Sequence, residues 1–306
     1  MTLRLGTRGS ALAMAQSRTV AEALSAATGE RVELVGIVTE GDRSTAPVQR
    51  LGVGVFVSAL RDALHAKEVD LAVHSYKDLP TAAPDGLTVA AVPPREDPRD
   101  ALVSRDGALL AELPPGARIG TGAPRRVAQI LALGRGLVCE PLRGNVDTRL
   151  RRVADGDLDA VILAAAGLRR LGRSAEITEI LDPMIMLPAP AQGALAVECR
   201  SADSSLVDLL ASIDDEHTRA AVTAERSLLA TLEAGCSAPV AALADVAESD
   251  DGSWEIYLRG AVLSADGAVA LRLSSTGALT EAAEVGSRLA GELLAEGADQ
   301  LMGVRE

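Results

Sequence analysis

The chain has 306 residues, enough for about two domains and a sizeable core, and 48% of them are hydrophobic. Only 1% are aromatic, so the core must be aliphatic and offers few platforms on which bases could stack. A formal net charge of -13 repels phosphodiester backbones and argues against a nucleic-acid partner.

Met1 leads almost directly into Leu3-Arg-Leu5, with no apolar leader and cleavage site, and the longest apolar stretch, around Ala160 to Leu168, is too short to cross a bilayer. A soluble, cytoplasmic chain with no membrane partner is expected. The three cysteines, Cys139, Cys199 and Cys236, are far apart and odd in number, which argues against a disulfide framework and a Cys-x-x-Cys metal site. His65, His74 and His217 are equally scattered, and no metal site is expected.

Leu3 to Leu5 reads as a strand, Gly6-Thr-Arg-Gly-Ser10 as a polar turn, and Ala11 to Ala27 as an alanine-rich helix stopped at Gly29. That is the repeating unit of an α/β fold. Val32 to Val38 is a second strand running into Thr39-Glu-Gly-Asp42, and the Gly52-Val-Gly-Val-Phe56 segment precedes a helix from about Val57 to Ala66. The apolar run Leu71-Ala-Val-His74 then breaks into Ser75-Tyr-Lys-Asp-Leu-Pro80. In open α/β sheets ligands sit beyond the carboxyl ends of strands, which places Ser75, Lys77 and Asp78 at the edge of a crevice. An adjacent lysine and aspartate also suit a plain surface pair.

Beyond the proline-rich crossing Val92 to Pro98 a similar series begins again. Arg4-Leu-Gly-Thr7 is echoed by Arg118-Ile-Gly-Thr121, Glu33-Leu-Val35 leading to Gly41-Asp42 by Leu137-Val-Cys139 leading to Gly144-Asn145, and Val69-Asp-Leu-Ala-Val73 by Leu158-Asp-Ala-Val-Ile162. Three matches in one order imply two lobes of like topology. A second crossing, Leu187 to Gln192, precedes a strand-like run from Gly193 to Glu198. If the chain returns there to the first lobe, the second lobe is inserted in it and the crossings form a hinge around a cleft. The expected division is 1–93 with 193–212 as the first lobe, 98–187 as the second, and 216–306 as a small third unit. The third unit reads as a helix His217 to Glu233, strands Trp254 to Val262 and Val269 to Leu273, and a helix Glu281 to Leu294.

Cations at a helix amino end oppose the macrodipole, at roughly 0.3 to 1 kcal/mol each. Arg125-Arg126 nevertheless follows Pro124 at such a start, Arg8 lies in the first turn, Arg143 in the glycine turn Leu142-Arg-Gly-Asn145, Arg149 in the next helix, and Arg169-Arg170 ends another. Each alone reads as a solvated surface charge. Together, in an acidic chain, they suit a ligand with several carboxylates or phosphates, with hydroxyls from Ser10 and Thr121. Asp78 would not hold an anion, but it suits ligand N–H groups or a positive charge developing during reaction. Gly235 reads as a left-handed helix cap that turns Cys236 onto a loop, where either a packed thiol or a functional one fits. Cys139 and Cys199 read as strand-buried and inert.

Thr7-Arg8-Gly9-Ser10, His74-Ser-Tyr-Lys-Asp78, Arg95-Glu-Asp-Pro-Arg-Asp100, Arg125-Arg126, Leu142-Arg-Gly-Asn145, Ala165-Ala-Gly-Leu-Arg169, Gln192-Gly-Ala194, Glu198-Cys-Arg200 and Leu232-Glu-Ala-Gly-Cys236 together resemble the porphobilinogen deaminase (hydroxymethylbilane synthase) family, from Leu3 to about Leu301. The resemblance implies an α/β fold of two periplasmic-binding-protein-like lobes with mixed sheets and a small α+β C-terminal domain. It implies a monomeric cytoplasmic transferase of tetrapyrrole and heme biosynthesis that joins four porphobilinogen units head to tail with loss of ammonia and releases linear hydroxymethylbilane. It further implies one dipyrromethane cofactor per chain, held by a thioether to Cys236, with Asp78 as the catalytic carboxylate. Arg8, Ser10, Ser75, Lys77, Thr121, Arg125, Arg126, Arg143, Gly144, Arg149, Arg170 and Gln192 match the family's cofactor- and substrate-binding positions. Val53 stands where many relatives carry lysine, and Gly122 and Ala123 where they carry serines, which puts substrate affinity in question more than reaction type. Two rivals remain. A receptor for a small polyanion leaves the third unit and Cys236 unexplained, and a phosphotransferase lacks a Gly-x-x-x-x-Gly-Lys loop.

Overall fold

The computed structural model describes residues 2–37, 57–82, 84–234 and 238–302. The expected Gly41-Asp42 turn, the Gly52 to Phe56 segment with Val53, the Gly235 cap and Cys236 lie outside the described residues. The chain divides into two compact units, Met1–Glu96 with Ala194–Arg219, and Asp97–Gly193 with Ala220–Glu306.

The first unit opens with β1 (Thr2–Arg8), α1 (Ala11–Thr28) and β2 (Arg31–Ile37), then α2 (Ser58–His65), β3 (Leu71–Ser75) and β4 (Leu87–Ala91). Ser10 starts α1 by accepting from the Ala13 N–H at 3.3 Å, and Gly29 ends it at φ 75°, a conformation that costs glycine little. The second unit carries β5 (Asp100–Ser104), β6 (Arg118–Thr121), α3 (Pro124–Ala132), β7 (Val138–Pro141), α4 (Val146–Ala154), β8 (Ala160–Ala164), α5 (Ala165–Arg170) and β9 (Glu179–Ile180). The chain then returns to the first unit, where β10 (Leu195–Arg200) lies antiparallel between β3 and β4.

The two mixed sheets run β2-β1-β3-β10-β4 and β7-β6-β8-β5-β9. In each, three parallel strands are followed by an antiparallel strand in fourth place. The sequence echoes fall at equivalent places: Arg4-Leu-Gly-Thr7 lies on β1 and Arg118-Ile-Gly-Thr121 on β6. The shared glycine has a packing reason. A Cβ on Gly6 would come 3.1 Å from Val69, and one on Gly120 would come 2.6 Å from Leu158. Both lobes pack aliphatic side chains on alternate sides of the sheet. In the second, Leu102 and Ile162 face Ile130 of α3, while Val103, Val161 and Leu163 face Leu150 of α4.

After α6 (Ser204–Leu210) and α7 (Glu216–Thr231) comes an antiparallel sheet of β11 (Val240–Glu248), β12 (Trp254–Leu263) and β13 (Ala270–Ala278), closed by α8 (Ala282–Ala295) and α9 (Ala298–Leu301). Ala242, Ala244, Ile256 and Leu258 face Leu228 of α7 and Val285, Leu289 and Leu293 of α8. The opposite face, Ala241, Leu243, Ala261 and Leu263, packs on Ala128 and Leu187 within the second unit. Strand β11 has no counterpart among the expected elements, because its alanines lack the β-branched signature of a strand.

Candidate active site

Strands β1 and β3 run parallel, with Leu5 beside Leu71 and Gly6 beside Ala72, so their carboxyl ends share one edge of the first sheet. Arg8 closes β1 and Ser10 begins α1; Ser75 closes β3, and Lys77 and Asp78 occupy the single 3-10 turn Tyr76–Asp78. The turn is tied down at both ends. Tyr76 N–H donates to the Ala194 carbonyl at 3.1 Å, and Leu79, which is buried, donates to the Tyr76 carbonyl at 3.2 Å. The Gln16 amide donates to Ser75 Oγ at 3.0 Å. Asp78 is exposed, and among the described residues none hydrogen bonds to or pairs with its carboxylate. A carboxylate on a fixed turn, open to solvent, can accept N–H donors or oppose a cation without first breaking an internal pair.

Behind this edge His74 points to the other face of β3. Its Nε2 lies 3.1 Å from Oε2 of Glu198, and Arg61 of α2 grips the same carboxylate through Nε and Nη2 at 3.1 and 2.8 Å. Burial pushes the Glu198 carboxyl up, but hydrogen bonds from His74 and Arg61 outweigh it and hold the group below its ordinary range.

In the second unit β6, β7 and β8 are parallel, so Thr121, the Leu142 to Asn145 turn and the start of α5 meet at one edge. Strand β5 is antiparallel to β8 with Asp100 opposite Ala164, which brings the first residue of β5 to that same edge. Pro124 occupies the first turn of α3, as expected, and the two arginines after it are buried rather than solvated, at 4% and 5% exposure. Asp100, at 0%, is what makes this possible. Its Oδ2 accepts from Arg125 Nη1 at 2.6 Å, and its Oδ1 from Arg126 Nη2 at 2.7 Å, Arg126 Nε at 3.1 Å and Arg125 Nη2 at 3.1 Å. The Gln192 amide, itself buried, donates to Oδ1 of Asp100 and to the Pro98 carbonyl at 2.8 Å each and accepts from Arg125 Nη2 at 3.1 Å. Carbonyls of Leu187 and Ile162 take further guanidinium donors.

Burial opposes ionisation of Asp100, yet the charges of Arg125 and Arg126 prevail and hold its carboxyl far below the usual range. Burial pushes the Arg126 guanidinium down, with Arg125 adding to that and Asp100 working against it. Two guanidiniums share one carboxylate, so the cluster keeps an excess positive charge.

The other predicted cations at this edge differ in burial. Arg143 and Gly144, at φ 96°, are exposed. Asn145 caps α4 by accepting from the Thr148 N–H at 2.9 Å, and Arg149 Nε donates to the Gly144 carbonyl at 2.9 Å, bracing the same turn. Arg170, the last residue of α5, donates to the Gly193 carbonyl at 2.6 Å. Thr121 is buried and accepts from the Ala123 N–H at 3.3 Å. Cys199 is buried as expected, whereas Cys139 is only half-buried; burial pushes both thiols up to about 11. The sequence pattern does not single out Asp100 as a site residue. Two adjacent arginines after a helix-starting proline signal a missing counter-ion, and the acid closing Arg95-Glu-Asp-Pro-Arg-Asp100 is the one that supplies it.

Among the described residues no helix is long and apolar enough to cross a membrane, and no cluster of three His, Cys, Asp or Glu side chains could hold a metal ion. Two family models match the chain: "Porphobilinogen deaminase, dipyromethane cofactor binding domain" over residues 3–208, and "Porphobilinogen deaminase, C-terminal domain" over residues 219–295. A porphobilinogen deaminase of Nocardia farcinica is 62% identical over 98% of this chain and 88% of that protein, and one of Mycobacterium tuberculosis H37Rv is 60% identical over 99% of both. Solved structures with a similar path include the methionine binding protein MetQ (11% identity, 69% of this chain, 89% of that one, TM-score 0.45). A periplasmic substrate-binding protein of an ABC transporter from Coxiella burnetii is another (15% identity, 69% and 91%, TM-score 0.44). With identity of this order along nearly its whole length, the chain belongs to the porphobilinogen deaminase family of transferases and carries that family's dipyrromethane cofactor binding domain.

Proposed function

We propose that this chain joins four porphobilinogen units head to tail with loss of ammonia, starting from a dipyrromethane cofactor bound through a thioether to Cys236, and releases linear hydroxymethylbilane on hydrolysis. The observation that carries this reading is the charge imbalance around Asp100. Two buried guanidiniums face one carboxylate in a chain of net charge -13, a local excess that the acetate and propionate arms of pyrroles would neutralise. The residues present therefore suit an acidic oligopyrrole. Arg125, Arg126, Arg143, Arg149 and Arg170, with Thr121, Gly144 and Gln192, are proposed to bind acidic arms from the second unit, and Arg8, Ser10, Ser75 and Lys77 from the first. When bound, the cofactor supplies the pyrrole carbon to which the first substrate is added.

Asp78 is proposed as the catalytic residue. Its exposed carboxylate suits the positive charge left on a pyrrole when ammonia departs, and it accepts pyrrole N–H groups in the meantime. Segment 216–306 is proposed as a separate cofactor-anchoring domain, and the protein as a cytoplasmic monomer. Intact-protein mass spectrometry with peptide mapping tests the reading. The expected result is added mass of a dipyrromethane on the peptide holding Cys236, lost in Cys236→Ser; a chain with only the mass of its sequence refutes it.

A further inference from the structure

Glu225, in α7, is fully buried, although a carboxylate is costly to take out of water. Among its partners are two backbone donors: the Ala191 N–H at 2.5 Å from Oε2 and the Ala244 N–H at 2.8 Å from Oε1. Ala191 is a buried, non-glycine residue at φ 59°, in the left-handed region that a Cβ disfavours and that persists only where the surroundings impose it. The next residue is Gln192, whose backbone N–H closes a tight turn onto the Ala189 carbonyl at 3.0 Å and whose side chain bridges Asp100 and Arg125. The same crossing is gripped from both sides, by Ala242 N–H on the Pro188 carbonyl and by Arg125 and Gln129 on the Leu187 carbonyl.

We propose that Glu225 is a positioning residue for the arginine pair: by holding Ala191 in its left-handed conformation it aims Gln192 at Asp100 and Arg125. The proposal rests on the reading that these groups receive the acidic arms of the cofactor. It gives α7, the helix that leads toward Cys236, a second task. The helix that runs to the attachment point also sets the charge cluster that the attached group meets.

A glycine at 191 adopts the observed φ without a Cβ penalty, so the role of Glu225 through Ala191 is separable from a general packing role. Glu225→Gln is expected to lower the fraction of purified chains carrying the added mass about tenfold, and Glu225→Gln with Ala191→Gly to recover it to within about twofold of the parent. A stability cycle between Glu225→Gln and Gln192→Ala, read by urea unfolding on the same proteins, is expected to show a coupling of about fivefold in the unfolding constant that disappears in the Ala191→Gly background. Additive effects together with no recovery by glycine overturn the proposal and leave Glu225 a packing group. The cycle reports on the positioning even if the parent chain carries no added mass, an outcome that would instead sink the cofactor reading.

Discussion

Replacing Asp100 by asparagine removes a charge while keeping volume. Asparagine can present its carbonyl oxygen where Oδ1 lies and retain the Arg126 and Gln192 contacts, but its NH2 then stands where Oδ2 accepts from Arg125 at 2.6 Å, so donor meets donor. That forfeits one charged hydrogen bond, about 1.5 to 3 kcal/mol, and leaves two buried guanidiniums without a counter-ion. Breaking a buried pair in this way costs about 3 to 5 kcal/mol, and with Asp100 at 0% exposure no discount for solvent screening applies. For a transition with an m-value of about 3 kcal/mol/M, the urea midpoint of the second unit should fall by about 1 to 1.7 M. The pH dependence has a definite sign. Because the folded carboxyl ionises well below its unfolded value of about 4, the stabilisation is complete above that pH and is lost as pH falls toward the folded value. The gap between parent and Asp100→Asn should therefore stay constant from neutral pH down to about 4 and close only below it. Adding Arg126→Met to Asp100→Asn should recover part of the loss, since one uncompensated cation goes with it. A midpoint within about 0.2 M of the parent, or a gap that opens only near neutral pH, would refute the assignment of Asp100 as counter-ion.

Asp78→Asn should leave the unfolding free energy within about 0.5 kcal/mol of the parent, because the carboxylate is exposed and unpaired among described residues, while turnover of porphobilinogen falls by orders of magnitude. Near-parental turnover would remove Asp78 from the chemistry. Iodoacetamide at pH 8 should leave Cys139 and Cys199 unlabelled over minutes, since thiols at about 11 are ionised to about one part in a thousand there; rapid labelling of either, seen by peptide mapping, would contradict the suppressed ionisation. Gly122→Ser should destabilise the second unit by about 1 to 3 kcal/mol, because a Cβ at 122 would stand 2.7 Å from the Leu142 carbonyl oxygen; an unchanged midpoint would mean that the Leu142 turn yields freely.

Much of the fold was legible because the lobes repeat. Strand-ending motifs on β1 and β6 carry the same Leu/Ile-Gly-Thr signature, and each glycine is needed where a branched side chain from the segment leading into the neighbouring strand, Val69 or Leu158, crosses it. What escaped was local and propensity-poor. Strand β11 is an alanine run whose small side chains permit packing on both faces, toward Leu228 on one side and Ala128 on the other, and that double burial has no signature in a single window. Strand β5 begins immediately after a proline-rich crossing, where turn residues dominate the pattern and obscure the strand.

The site was legible residue by residue but not pair by pair. Arg125 and Arg126 stood out because cations at a helix start oppose the macrodipole, and the natural inference from that conflict was a ligand. The larger part of the resolution is internal: Asp100 is 25 positions away in sequence and reaches the arginines only because β5 enters the sheet antiparallel, setting its first residue beside the last of β8. One carboxylate does not balance two guanidiniums, however, and the same geometry that accounts for their burial leaves the excess charge that points to an acidic ligand. Asp78 and Arg125 thus illustrate opposite ways of preparing a group for function. An exposed carboxylate on a fixed turn stays available because none of the described residues claims it, whereas the buried guanidinium pair keeps an excess of positive charge because one carboxylate serves both.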